Sequence, residues 1–221
     1  ILNALKEDVG EGDHSSLACI GDKEEGRARL EVREAGIIAG IDVARRIFEL
    51  FDSSLKLEVF IRDGSLVKPG DIAFIVVGSA RSILTTERLV LNIMQRMSGI
   101  ATQTNQMVKM IAHTNATLID TRKTTPNFRL FEKQAVLIGG GGNHRFGLYD
   151  MVMIKDNHID FAGGVAEAIA ATSNYLKSKR KKLSIEIEVR NKDELTEVIR
   201  VGGVDRIMLD NFSPSEIKEV L

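Results

Sequence analysis

The spacing of apolar residues changes several times over the first hundred positions. Leu2, Leu5 and Val9 recur at helical spacing and predict a short opening helix, followed by a turn-rich segment from Gly10 to Ser16. Arg27 to Arg33 alternates polar and apolar residues with period two, which predicts a half-buried strand. Gly36 to Gly40 turns into a predicted helix over Asp42–Phe51. Leu55–Ile61 and Ile72–Val77 read as two further strands, and the turn signals Asp63-Gly64 and Pro69-Gly70 between them predict a small antiparallel arrangement. From Thr86 to about His113 the period is again helical, carried by Leu89, Ile93, Met97 and Ile100, with Ser98-Gly99 predicted to interrupt it.

The character then changes, and two domains are expected: residues 1–100, an N-terminal α/β sandwich, and residues 101–221, an α/β barrel domain. In the second, short apolar runs end abruptly in polar residues. Ala116–Ile119 stands before Asp120-Thr121-Arg122-Lys123, Met151–Ile154 before Lys155-Asp156-Asn157-His158, Ile185–Val189 before Arg190-Asn191, and Arg206–Leu209 before Asp210-Asn211. Helical stretches over Gly163–Leu176 and Lys192–Val201 lie between some of them, so the pattern predicts βα units on a parallel sheet. In barrels of such units the reactive groups lie at the carboxyl ends of the strands. Helix capping explains Asp, Asn, Ser or Thr at any one strand end. Four ends that also bear Arg, Lys, Glu and His are not explained by capping alone.

Composition narrows the function classes. The chain has 221 residues, a net charge of −1, 43% hydrophobic and 28% charged residues, which excludes disorder and allows a sizeable core. Cys19 is the sole cysteine, so a disulfide scaffold is excluded and the thiol is expected to be packed and inert. No apolar run approaches the roughly 20 residues of a bilayer span, and the first ten residues carry no secretory pattern, so a reducing, cytoplasmic setting is expected. Balanced charge argues against nucleic acid as the main partner. The one basic run, Lys177 to Lys182, follows a predicted helix and reads as a solvated helix end. Any anion site must therefore be local.

Such a concentration exists. Arg122, Lys123, Arg145 and Lys155 fall within about forty residues, near strand ends or glycine loops, and converging cations of this kind fit a polyanionic small molecule. Gly139–Gly142 matches neither a dinucleotide nor a P-loop signature, and reads equally well as a structural or a ligand loop. Ile185-Glu186-Ile187-Glu188-Val189 sets both carboxylates on one face. Glu186 is expected to be an interior ion-pair partner, whereas Glu188 and Asp210, at strand ends, are candidates to hold sugar hydroxyls or a developing positive charge. His144 and His158 lack metal-ligand spacing; His14 and His113 read as surface or structural residues. Val67-Lys68-Pro69-Gly70-Asp71 looks like a turn of a biotinyl or lipoyl carrier but reads better as a plain turn.

Taken in order, Glu87-Arg88 with Leu91-Asn92, Ser98 to Thr102, Asp120 to Pro126, Glu132-Lys133, Asn143-His144-Arg145 with Gly147-Leu148, Ile154 to His158, Ile185 to Val189 and Leu209 to Phe212 resemble the quinolinate phosphoribosyltransferase family, also called nicotinate-nucleotide pyrophosphorylase (carboxylating). The resemblance runs from the first helix, Leu2 to Asp8 with Gly12-Asp13, to the end of the chain. It implies transfer of phosphoribosyl from 5-phosphoribosyl-1-pyrophosphate to quinolinate with loss of CO2, in NAD biosynthesis. It also implies that Arg122, His144, Arg145 and Lys155 line the quinolinate pocket and that Lys123, with Thr121 in the same loop, reaches toward the phosphoribosyl donor. Lys123, Lys155, Glu188 and Asp210 are the implied catalytic residues, with Mg2+ brought in on the pyrophosphate near Glu188 and Asp210. Arg88 would enter the site of a neighbouring subunit, in a homodimer or a trimer of dimers.

The chain stops at Leu221, about where a TIM-like barrel still needs its last strands, so an incomplete barrel lacking later glycine-rich phosphate loops is expected, as a fragment or with a disordered tail. Two other readings stay open: a paralogous transferase, such as the protein associated with molybdate-transport operons or one acting on another aromatic carboxylate, and a non-catalytic anion-binding module on the same fold.

Overall fold

The computed structural model describes residues 1–221 and divides them into two compact units, Ile1–His144 and Arg145–Leu221. In the first, α1 (Leu2–Val9) and α2 (His14–Cys19) precede β1 (Glu25–Glu31), β2 (Gly36–Ile37), α3 (Ile41–Phe51), β3 (Lys56–Val59), β4 (Leu66–Val67), β5 (Ile72–Ser79), α4 (Ala80–Ile111) and α5 (Arg129–Ile138). The strands form an antiparallel sheet in the order β1-β5-β3 and a small antiparallel pair, β2-β4. The predicted strands and the antiparallel arrangement are present.

Two local expectations are corrected. The turn-rich segment becomes helical at His14, because Asp13 Oδ1 accepts the amides of Ser15 and Ser16, each at 3.1 Å, and so caps α2. Cys19 ends that six-residue helix exposed rather than packed, since Ser16 is the helix's buried residue.

A third correction concerns α4, which runs unbroken through Ser98-Gly99 for 32 residues. Ser98 is spent sideways: its hydroxyl accepts the Ala39 amide at 2.9 Å and lies 3.2 Å from the Ala39 carbonyl. Thr102 Oγ1 likewise accepts the Ile37 amide at 2.9 Å. A Cβ on Gly36 would stand 2.5 Å from that hydroxyl oxygen, so glycine is needed for the segment to approach the helix. The apolar side of α4 buries Ile93, Met97 and Ala101 against Ile41, Ile47 and Phe48 of α3 and Phe74 and Val76 of β5.

Ala116–Ile119 forms no ladder. It makes one parallel bridge, Ile119 to Gly142, with the Gly142 amide donating to Leu118 O at 2.7 Å and the Asp120 amide to Gly142 O at 3.1 Å. The run has no core to enter, and Ile119 is 41% exposed. The glycine run proves structural. A Cβ on Gly139 would lie 2.5 Å from Ala101 O and 2.7 Å from Thr104 Cβ, and one on Gly141 2.8 Å from Val136 Cγ1. At Gly139 and Gly141 the chain thus passes against α4 and α5 with no room for a side chain.

The second unit alternates β6 (Val152–Ile154), α6 (Asp156–Ala162), α7 (Val165–Lys179), β7 (Ile185–Val189), α8 (Lys192–Val201), β8 (Arg206–Leu209) and α9 (Pro214–Val220). The three strands are parallel in the order β6-β7-β8, with Ile154 opposite Ile187 and Val189 opposite Leu209. Ile154, Ile187 and Val189 meet Val165, Ile169 and Val198 in its core. The fold class is α/β, an N-terminal α/β unit followed by βα units of a TIM-like barrel that does not close. The basic run ends α7 in solvent, where Arg180 adopts a left-handed cap at φ 52°. No helix is long and apolar enough to cross a membrane.

The glycine geometry gives substitutions of opposite sign. Gly99 faces open space inside α4, so Gly99→Ala should stabilise by about 0.5–1 kcal/mol, whereas Gly139→Ala should cost about 1–3 kcal/mol. Denaturant midpoints of the two variants check both signs.

Candidate active site

In the first unit the chemistry-bearing segment is the loop 120–125, held by the opening turns of α5. Arg129 donates Nε to Thr124 Oγ1 at 2.9 Å and Nη2 to Arg122 O at 3.4 Å. Glu132 accepts the Thr125 amide at 3.0 Å, the Thr125 hydroxyl at 2.8 Å and Arg96 Nη2 at 2.7 Å. Lys133 forms an ion pair with Asp120. Within the loop, Thr121 Oγ1 accepts the Lys123 amide at 3.0 Å and so folds the chain that carries both cations. Lys123 is exposed; Arg122 is half-buried, and its Nε is buried without a hydrogen-bond partner in the chain. His144 joins the loop through its backbone, which donates to Asp120 Oδ1 at 2.9 Å. Arg88 lies on α4 with its side chain exposed.

Burial alone would raise the Glu132 carboxyl, but the hydrogen bonds from Arg96 and Thr125 outweigh it and hold the group below its ordinary 4.5.

In the second unit the strand register places the residues. Because Ile154 lies opposite Ile187, the residues that follow them, Lys155 and Glu188, meet side by side, with Nζ to Oε2 at 3.0 Å. The Lys155 amide donates to His158 Nδ1 at 2.9 Å, so His158 is engaged as the cap of α6. Asp210 follows β8; its amide donates to Val189 O at 3.0 Å, and its Oδ2 accepts Asn211 Nδ2 at 2.9 Å. Arg145 donates Nη1 to Met151 O at 3.3 Å. Glu186 is wholly buried and pairs at 3.2 Å with Arg206, whose side chain reaches it from the surface; the glutamate is the ion-pair partner expected of it.

Helix capping occurs after each of the three strands: His158 caps α6, and Ser213, whose hydroxyl accepts the Glu216 amide at 3.3 Å, caps α9. Asn191 Oδ1 accepts the Glu194 amide at 2.9 Å, and Arg190 is bound to Glu194 and Asp160, whose hydrogen bonds raise its pKa. Beside these capping groups stand Arg122 and Lys123 after the first apolar run, Lys155 after β6, paired with Glu188, and Asp210 after β8. Each unit thus brings its own set together, Thr121, Arg122, Lys123 and His144 in one, Lys155 and Glu188 beside Asp210 on the next strand in the other. Sequence reasoning missed the support beneath them, Arg129, Glu132 and Lys133 of α5; the signal was Glu132-Lys133, a charged pair amid the apolar period of a helix.

Profiles described as quinolinate phosphoribosyl transferase, N-terminal domain, and quinolinate phosphoribosyl transferase, C-terminal domain, match residues 13–98 and 100–221. The chain belongs to the quinolinate phosphoribosyl transferase family. Among curated members of that family, quinolinate phosphoribosyltransferase [decarboxylating] 1b of Nicotiana tabacum is 49% identical over 215 residues, covering 95% of this chain and 61% of that protein. A probable nicotinate-nucleotide pyrophosphorylase [carboxylating] of Synechocystis sp. is 42% identical, covering 94% of this chain and 69% of that protein. The crystal structure of NadC from Streptococcus pyogenes superposes with a TM-score of 0.89 at 41% identity, covering 99% of this chain and 76% of that one. The chain thus spans about three fifths of the length of its plant relatives in the family.

The depressed Glu132 carboxyl has a pH signature. Its ionised form stabilises the fold fully above about pH 4.5 and ceases to do so as pH falls through the lower folded-state value. Glu132→Gln should therefore melt below wild type at pH 7, and the gap should close on acidification toward pH 3; thermal melts at stepped pH check it.

Proposed function

We propose that the protein containing this chain transfers phosphoribosyl from 5-phosphoribosyl-1-pyrophosphate to the ring nitrogen of quinolinate, with loss of the 2-carboxylate, giving nicotinate mononucleotide, pyrophosphate and CO2. The observation that carries this reading is the presence of two chemistries in a family member, one in each unit: cations on the 120–125 loop, with Arg122 Nε buried and unpartnered, and carboxylates at the carboxyl ends of adjacent parallel strands. Arg122, His144, Arg145 and Lys155 take up the carboxylates of quinolinate; a guanidinium matches a carboxylate with two parallel hydrogen bonds. Lys123, on the folded loop with Thr121, takes the donor's phosphates. Glu188 and Asp210 hold the ribose hydroxyls and offset positive charge that develops at the anomeric carbon. Once the ring nitrogen is quaternary, loss of CO2 leaves an ylide beside a positive charge, and a dry cationic pocket favours that distribution.

Magnesium is part of the proposal. Glu188 and Asp210 supply hard oxygen donors, which suit Mg2+, but no group of three or more His, Cys, Asp or Glu side chains stands ready to hold an ion unaided. Two carboxylates fit an ion that arrives on the pyrophosphate and neutralises the leaving group's charge. Arg88, exposed on α4, acts in the site of a neighbouring subunit, in a homodimer or a trimer of such dimers. The setting is a reducing one, the cytoplasm by the sequence reading; the names of plant relatives specify chloroplasts and mitochondria for those proteins.

The deciding assay supplies full-length protein with quinolinate, 5-phosphoribosyl-1-pyrophosphate and Mg2+, and follows nicotinate mononucleotide by chromatography with nicotinate as the control acceptor. Product from quinolinate alone is expected; quinolinate binding without product would replace the enzyme by a binding module. Arg145→Ala or Lys155→Ala should lower turnover at least about tenfold with thermal stability near wild type. Mixing Arg88→Ala and Arg145→Ala dimers under exchange should restore activity, and no recovery despite proven exchange would exclude Arg88 in trans.

A further inference from the structure

Lys133 is 3% exposed and Asp120, its ion-pair partner, 8% exposed. The pair is joined by a third side chain: with its amide nitrogen turned toward the carboxylate, Asn143 donates to Asp120 Oδ2 at 2.7 Å and to Lys133 O at 3.0 Å. Asp120 Oδ1 also receives the His144 amide. One carboxylate therefore ties three segments: the start of the cation-bearing loop, the body of α5, and the turn that carries His144.

Burying two charges is a poor way to gain stability, because desolvation offsets much of their attraction and apolar residues of similar size do as well or better. What the pair supplies is a fixed register between segments. Its electrostatics matter equally. Asp120 lies two residues from Arg122, and without Lys133 its negative charge would draw that guanidinium toward itself and cancel part of the field on an incoming anion. With Lys133 in place the carboxylate is neutralised from beneath. Arg122, whose Nε has no partner, is left available.

We propose that Lys133, Asp120 and Asn143 are positioning residues that hold Arg122 and His144 in one arrangement and keep the Arg122 guanidinium free for the carboxylate-bearing acceptor. None of the three touches the acceptor. The inference rests on the functional reading above for the identity of that acceptor, and on the hydrogen bonds alone for the anchoring.

The test compares wild type, Lys133→Met, Lys133→Arg and Asn143→Ala as full-length protein. Asn143→Ala keeps the ion pair, so it serves where Lys133→Met fails to fold. The expected result is a quinolinate KM, and a dissociation constant by calorimetry, raised about tenfold or more in Lys133→Met and Asn143→Ala, with kcat reduced far less. Lys133→Arg, which restores the charge, should recover most of the affinity. Amide exchange at His144 should accelerate in both weakened variants. Folded variants with wild-type quinolinate affinity, or with kcat and KM degraded alike, would overturn the positioning role. A wild-type protein that neither binds quinolinate nor makes product would instead overturn the functional reading, and His144 exchange would then decide the anchoring by itself: acceleration supports it and unchanged protection overturns it.

Discussion

The buried carboxylate of Asp120 is the constraint on which the first unit's chemistry depends. It lies where three stretches of chain meet, none of which forms a continuous sheet there, and it is satisfied by Lys133, by Asn143 and by the His144 amide. The single bridge between Ile119 and Gly142 gives two backbone hydrogen bonds, too few to set the loop by themselves. A second carboxylate finishes the job at the far end, since Glu132 takes both donors of Thr125. Adjacent residues of α5 thus fix the two ends of a six-residue loop. Arg122 and Lys123, between those ends, take no part in fixing them.

In the second unit the ordering agent is the backbone ladder. Parallel pairing of β6, β7 and β8 brings their carboxyl ends level, and the residues just past or at those ends, Lys155, Glu188 and Asp210, come together without any dedicated scaffold of side chains. A one-residue slip of β7 would exchange its glutamates for Ile187 and Val189 on the same face. Ile187 and Val189 are fully buried, so their apolar contacts forbid the slip and hold the glutamates in place.

The sequence was most legible where burial imposed a strict period. Ile185–Val189 and Arg206–Leu209 were read to the residue, because a short apolar run bounded by polar residues leaves little else to choose, and β7 is in addition buried on both faces. Reading failed where polar residues replaced the apolar signal. Helix α5 buries Glu132 and Lys133 beside Ala135, so its inner face is partly ionic and its period was hidden. The break expected at Ser98-Gly99 failed for a related reason: a serine that weakens a helix in isolation was recruited for hydrogen bonds to Ala39. Of the candidate residues, Lys155 and Glu188 were legible as strand-end groups and prove to be partners. The network beneath Arg122 and His144 was not, because it joins residues far apart in sequence through a single side chain.

The two glutamates of β7 show how one strand divides structure from chemistry. Glu186 is fully buried while its partner Arg206 is 58% exposed, so removing Arg206 from it would leave an unpaired charge in the core. Glu188, two residues on, is 17% exposed, and its partner Lys155 is 45% exposed. Separating that pair leaves a partly solvated carboxylate rather than a wholly buried one, and so costs less than stranding Glu186. A ligand carrying both a carboxylate and hydroxyl groups can therefore separate them, offering the lysine an anion and the glutamate donors, at small cost to the fold. What distinguishes the two pairs is the burial of the carboxylate, complete for Glu186 and partial for Glu188, two residues nearer the carboxyl end of the strand.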